Sequence, residues 1–177
     1  MLGAGNLGKE WTFSTRFVDS EEEEERWVNV LEYRFNHKFS YGIEYNPGDK
    51  SANLLRIIWT LTEETEQIPM ITISTSETRV GSVAGGHINL SFAKSLPQSP
   101  LGGYLAVHYA FDRGFEFPFG VSFQLSREVS LLPMYDGEKW NVLLNFVQKD
   151  FWVTVGTHGI KEPELLIAVG FGFGNVK

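Results

Sequence analysis

The sequence predicts an all-β fold: an antiparallel up-and-down transmembrane β-barrel of about twelve strands. Three observations carry this. The chain divides into twelve segments in which apolar residues alternate with small or polar ones, and a period of two belongs to strands whose two faces meet different surroundings. No segment repeats with a helical period of 3.6. The apolar faces carry Phe, Tyr, Trp, Leu and Ile, whereas the opposite faces are Ser, Thr, Gly, Asn, Ala and His with few charges. A soluble sheet usually turns Lys, Glu and Asp outward. Twelve bulky faces would crowd the interior of one 177-residue barrel, but lipid accepts them without a packing problem.

The elements follow in order. Residues 11–19 set Trp11, Phe13 and Phe17 against Thr12, Ser14 and Arg16. The five acids Glu21 to Glu25 read as a solvated loop. Residues 26–36 alternate Trp27, Leu31, Tyr33 and Phe35 with Val28, Val30, Glu32 and Arg34, and His37-Lys38 turns the chain. Residues 39–45 set Phe39, Tyr41, Ile43 and Tyr45 against Ser40, Gly42 and Glu44, before the turn signal Asn46-Pro47-Gly48-Asp49. Residues 52–62 and 68–78 form the next two strands around the polar link 63–67. The small residues Val83 to Gly86 lead to a strand over 87–95. Residues 96–100 hold two prolines and so form a loop.

In the second half, strands are expected over 103–111, 117–126, 129–135, 140–147, 151–158 and 164–173. Asp112-Arg113-Gly114 and Asp136-Gly137 mark hairpins, the latter being the strongest short hairpin signal in the chain. Short links between consecutive strands force antiparallel neighbours, and a meander of twelve closes on itself to remove its edges. Trp11, Trp27, Tyr45 and Trp140 lie near strand ends, where an aromatic girdle would sit.

The last strand, ELLIAVGFGF, has Leu165, Ile167, Val169, Phe171 and Phe173 on one face and Glu164, Leu166, Ala168, Gly170 and Gly172 on the other. The small residues look into a narrow or crowded space. Phe171 and Phe173 resemble the closing strand of bacterial outer-membrane barrels, although here four residues follow the final aromatic. The stretch GVSFQLSREVSLLPMYDGEKWNVLLNF, with Met134-Tyr135-Asp136-Gly137 at its turn, is similar to the strand–turn–strand units of the exopolysaccharide-associated outer-membrane barrel family. LLRIIWTLTEETEQIPMITISTSE looks like that family's strand, polar loop and Pro-entered strand. The resemblance implies a bacterial outer-membrane location and a link to polysaccharide export, and it implies no catalytic residues.

Composition narrows the functional classes. A net charge of -7 with no Lys/Arg cluster argues against a nucleic-acid partner. The chain has no Cys, so neither disulfides nor thiolate metal sites arise. No apolar run is long enough for a membrane helix. A mean hydropathy of -0.14 suits a barrel, which spreads its apolar residues over alternate positions. Residues 1–10 carry neither a basic nor an apolar leader pattern and are read as a leader or linker, with residues 11–174 as one barrel domain.

Parity assigns Arg16, Glu32, Arg34, Glu44, Arg56, His87, Asn89, His108, Gln124, Asn141, Asn145 and His158 to the lumen. Arg and Glu on neighbouring early strands are placed to pair across it. Strand number sets bore: about 8 strands leave a filled interior and about 16 leave a water channel. Twelve therefore points to a narrow polar pore for ions or small polar solutes. The alternatives are an outer-membrane lipid-modifying enzyme and a soluble lipocalin-like or sandwich binding barrel. For the enzyme, the candidates are His87 with Ser91, His108, and His158 with Thr157. His87 and Ser91 lie about 13 Å apart along a strand, beyond hydrogen-bond reach, so no catalytic residue is assigned. His87, His108 and Glu44 supply no close-spaced metal ligands, and neither a metal nor a cofactor is expected. On the same parity Asn141 and Gln124 accept arginine, whereas Val107 and Leu144 do not.

Overall fold

Each stave of the sheet pairs with the next, and the last returns to the first. The structure is a computed structural model and describes residues 9–20, 27–47, 53–75, 87–111 and 114–174. Its strands are β1 (Trp11–Val18), β2 (Trp27–Arg34), β3 (Phe39–Tyr45), β4 (Asn53–Thr62), β5 (Met70–Ser74), β6 (His87–Ser95), β7 (Leu101–Ala110), β8 (Gly114–Glu116), β9 (Phe119–Gln124), β10 (Val129–Tyr135), β11 (Trp140–Val147), β12 (Phe151–His158) and β13 (Glu164–Phe173). The described residues contain no helix. The acidic loop at 21–25, the link at 83–86 and most of the 1–10 leader or linker lie outside the described residues.

The barrel closes where β1 pairs with β13, Trp11 opposite Phe173 and Val18 opposite Leu166. Thirteen strands make twelve staves, because β8 and β9 are one stave. Both pair with β7 in a single register, with His108 opposite Glu116 on one side of the break and Leu105 opposite Phe119 on the other. The break falls at Pro118, which has no N–H to give the ladder. Its carbonyl still accepts from Ala106 N at 2.8 Å, so the wall is continuous. The strand expected over 117–126 is therefore longer at its start and interrupted by its proline.

Other boundaries moved for local reasons. The second strand ends at Arg34 rather than at residue 36, because the Asn36 side chain accepts from Lys38 N (2.8 Å) and Phe39 N (2.9 Å) and so builds the turn. The fifth starts at Met70, after Pro69. A register shift between Thr60 and Thr62 marks a bulge in β4.

Two rims result. Trp11 and Phe173 lie at the terminal rim, with the short turns 35–38, 96–100, 125–128 and 148–150. At the loop rim β1, β3 and β5 end, each followed in sequence by a longer connection. At the terminal rim Trp11 packs on Tyr33 (ring centres 4.7 Å apart) and Tyr33 on Tyr41 (5.4 Å). At the loop rim Phe17 meets Trp27 (5.8 Å), and Trp140 meets Tyr135 and Phe119 (5.6 and 5.4 Å). These are the two aromatic belts that the strand-end Trp and Tyr residues suggested.

Between the belts the outside is apolar. Phe39, Tyr41, Ile43, Leu105, Val107, Phe119, Val121, Ile167 and Val169 all lie on the outer face, and six of them are exposed by 39% to 57%. Among the described residues 32 large apolar side chains are exposed. Full burial of such a side chain is worth about 1.5–3 kcal/mol, and in water each would forgo part of it, so this surface is built for lipid.

Candidate functional site

With the outside committed to lipid, the chemistry of the chain faces inward. The pleat sends every second side chain there, and the inner wall divides into three sectors.

The first spans β1 to β4 and carries the inward arginines. Register places Glu32 opposite Gly42, and Gly42 opposite Arg56. Gly42 has no side chain to intervene, so Arg56 reaches across β3. Its Nε lies 3.2 Å from Glu32 Oε2 and its Nη1 lies 3.5 Å from Glu44 Oε2. A Cβ at Gly42 would stand 2.3 Å from Leu31 O, so no other residue fits there without moving the backbone. This is the Arg–Glu pairing expected across the early strands. Arg34 makes no ion pair among the described residues. Water reaches this sector: the Arg56 and Glu32 side chains are 24% and 16% exposed, and Ser14, Arg16, Val30, Arg34, Ile58 and Thr60 are half-buried.

The second sector spans β5 to β7 and is polar, with no inward carboxylate, lysine or arginine. Thr72, Ser74, His87, Asn89, Ser91 and His108 are all 7% exposed or less. Asn89 is opposite His108, which sets the His87 and His108 rings on the diagonal with centres 5.1 Å apart.

The third sector, β9 to β13, is a packed core. Leu132, Met134, Leu143 and Leu166 join Val18 of β1 in an apolar cluster, with Tyr104 against it. Tyr104 lies opposite Gly120, and a Cβ on Gly120 would meet its ring at 2.7 Å. Toward the loop rim this core is capped by a polar network. Asp136 Oδ1 accepts from Glu138 N (3.0 Å) and Lys139 N (2.8 Å), and its Oδ2 accepts from Asn141 Nδ2 (2.8 Å). Asn141 Oδ1 accepts from Gly159 N at 3.1 Å and lies 3.0 Å from His158 Nδ1. An amide oxygen only accepts, so the imidazole proton sits on Nδ1. Lower in the wall, Thr154 donates to Asn145 at 2.7 Å.

Parity thus faces all twelve lumen candidates inward, but into different surroundings. Arg16, Glu32, Arg34 and Arg56 border water, whereas Glu44, His87, Asn89, His108, Asn141, Asn145 and His158 are buried. Gln124 sits at the terminal rim, exposed, where its amide donates to Ser126 O and Val129 O. His158 and Thr157 project to opposite faces, so they do not form a pair. Among the described residues no three His, Cys, Asp or Glu side chains converge as metal ligands, so His87, His108 and Glu44 do not meet. Sequence reasoning passed over Asp136 except as a turn residue. Its signal was present: an Asp two and three residues ahead of backbone donors forms an Asx turn.

Neither a family model nor a curated relative matches the sequence. Solved structures do match by shape. A KdgM porin aligns with a TM-score of 0.51 at 12% identity over 92% of this chain and 98% of its own. A KdgM porin in complex with disordered oligogalacturonate gives 0.55 at 11% over the same shares. The Acinetobacter baumannii outer membrane protein Omp33 gives 0.53 at 8% identity, over 95% of this chain and all of its own. At such identities the likeness is one of architecture, and the chain shares its fold with outer-membrane porins.

Proposed function

We propose that this chain is a porin-like barrel of a bacterial outer membrane that passes ions and small polar solutes. The observation that carries the reading is the inversion of its surface: a lipid-facing apolar belt between two aromatic rims encloses an inner wall with hydrated charges at Arg34, Arg56 and Glu32. Lipid satisfies the outside, and backbone pairing around the closed sheet leaves no polar edge in the bilayer. Saccharide fragments are the larger solute class to examine, since one neighbour of the same fold is in complex with oligogalacturonate. The test is planar-bilayer conductance with purified protein, alongside swelling of proteoliposomes in sugars of graded size. Discrete conductance steps and size-limited swelling are expected. Insertion without conductance above background would sink the pore reading.

A further inference from the structure

The three sectors differ in packing as well as in chemistry. At mid-depth, on the packed side, the inward side chains are Asn89 (3%), His108 (0%), Met134 (0%), Leu143 (0%) and Thr154 (1%). They are closed to water. At the same depth on β1, β2 and β4, Ser14, Val30, Glu32 and Arg56 are all partly open. Toward the loop rim, Val18, Asp136, Asn141, His158 and Leu166 are closed to water, whereas Arg16 and Glu164 on the adjoining β1 and β13 remain half-open. The small residues on the β13 wall add no bore, because the Trp152 ring occupies the space beside Gly170.

We infer that the water-filled route through this barrel is off-centre. It runs along the β1–β4 wall, past Arg34, Glu32, Arg56 and Arg16, and on the β5–β13 side a packed core closes mid-depth and the loop rim to solute. The inference rests on the pore reading for its function but not for its geometry. Three consequences separate it from a central twelve-stranded pore. Selectivity is set by the arginine-bearing wall. Inward polar residues on β5, β6, β11 and β12 are structural. The effective bore is narrower than the stave count implies, because one side is filled with side chains.

The chain has no Cys, so single Ser→Cys replacements read the geometry directly. Ser14→Cys reports the open wall, while Ser74→Cys and Ser91→Cys, nearly isosteric and inward on β5 and β6, report the packed one. Each variant is reconstituted into liposomes and treated with a charged, membrane-impermeant methanethiosulfonate. The Ser14→Cys thiol is expected to react at least about tenfold faster than the other two, since exposure governs thiol modification, and its modification should lower single-channel conductance. Equal rates at all three positions, or faster reaction at Ser74→Cys or Ser91→Cys, would overturn the off-centre route. Fast reaction confined to Ser14→Cys, with no conductance even in the wild type, would uphold the geometry and sink the pore reading instead.

Discussion

The indole of Trp152 lies over Gly170, its partner across the β12–β13 ladder. A Cβ built on Gly170 would stand 2.3 Å from the indole Nε1, so glycine is what lets a Trp point inward there. Gly170→Ala should expel the ring and cost about 1–3 kcal/mol, as overpacking does. Trp152→Leu should destabilise by removing apolar contact. The double variant should lose less than the two single losses summed, because each change relieves the other. Urea unfolding followed by heat-modifiable gel mobility measures all three. Strict additivity would show that the ring and the glycine do not share a site.

Asn141 is the hub of the loop-rim network and is fully buried. Asn141→Leu strips partners from Asp136 Oδ2, His158 Nδ1 and Gly159 N. A buried polar group left unsatisfied costs about 1–3 kcal/mol, so this variant should be among the least stable. Asn145 offers a contrast, because its oxygen has one side-chain donor, Thr154. Asn145→Leu alone should destabilise, and adding Thr154→Val should recover part of the loss, since replacing both partners leaves nothing unpaired. No recovery in the urea midpoint would argue against that hydrogen bond.

The architecture was legible because strand parity is a local property. Phe39 through Tyr45 alternate without a break, and a one-residue slip would have reversed every face. Glu32, Gly42 and Arg56 could each be placed inward, and their meeting followed from register. The state of the lumen was not legible. Inward parity alone does not tell a filled lumen from an open one: Leu132 and Leu143 meet across the β10–β11 ladder, Leu166 follows across Gly156, and the closing β1–β13 pairing adds Val18 from the other end of the chain. The twelve inward polar residues therefore looked like one pore lining, although most of them are packed. Asn141 shows the consequence: it was expected to tolerate arginine, but full burial and four polar partners make that substitution disruptive.

Arg34 and Arg56 share a wall but differ in pairing. Arg56 stands between Glu32 and Glu44, so Arg56→Glu would gather three carboxylates and should impair folding. Arg34 has no ion pair among the described residues, so Arg34→Glu should fold and shift the reversal potential toward cation preference. Reversal potential under a salt gradient measures the shift, and it should shrink at high salt as screening lengths fall to about 3 Å at 1 M. An unchanged reversal potential in folded Arg34→Glu would remove Arg34 from the conduction route.

Lys9 ties the start of the first strand to the turn before β12, with Nζ 2.6 Å from Asp150 Oδ1. The hydrogen bond from Lys9, together with the charges of Lys9 and Lys149, holds the Asp150 carboxyl below its usual 3.8. A depressed carboxylate stabilises the fold at pH above its unfolded value, and that contribution drains away as pH falls through the lower, folded value. Lys9→Ala should therefore be less stable than wild type near neutral pH and indistinguishable from it in strong acid. The Asp150 side chain is 58% exposed, so the neutral-pH difference should be small and should fade with salt. The comparison is the urea midpoint of both proteins across that pH range; a gap that widens in acid would reverse the assignment.

Arginine placed on each face tests the inside–outside assignment most directly. Val107 and Leu144 face outward on β7 and β11, and Gln124 is exposed inside the terminal rim. On the lipid face an arginine costs about 2–4 kcal/mol at the midplane, falling to about 0–1 near the interfaces. Val107→Arg and Leu144→Arg should therefore insert poorly into liposomes, with a larger unfolded fraction by gel mobility. Gln124→Arg should insert as wild type, because its guanidinium stays in water and the lost amide contacts hold only a turn. If Val107→Arg and Gln124→Arg insert equally well, the outer face of β7 does not meet lipid, and the membrane reading of that wall fails.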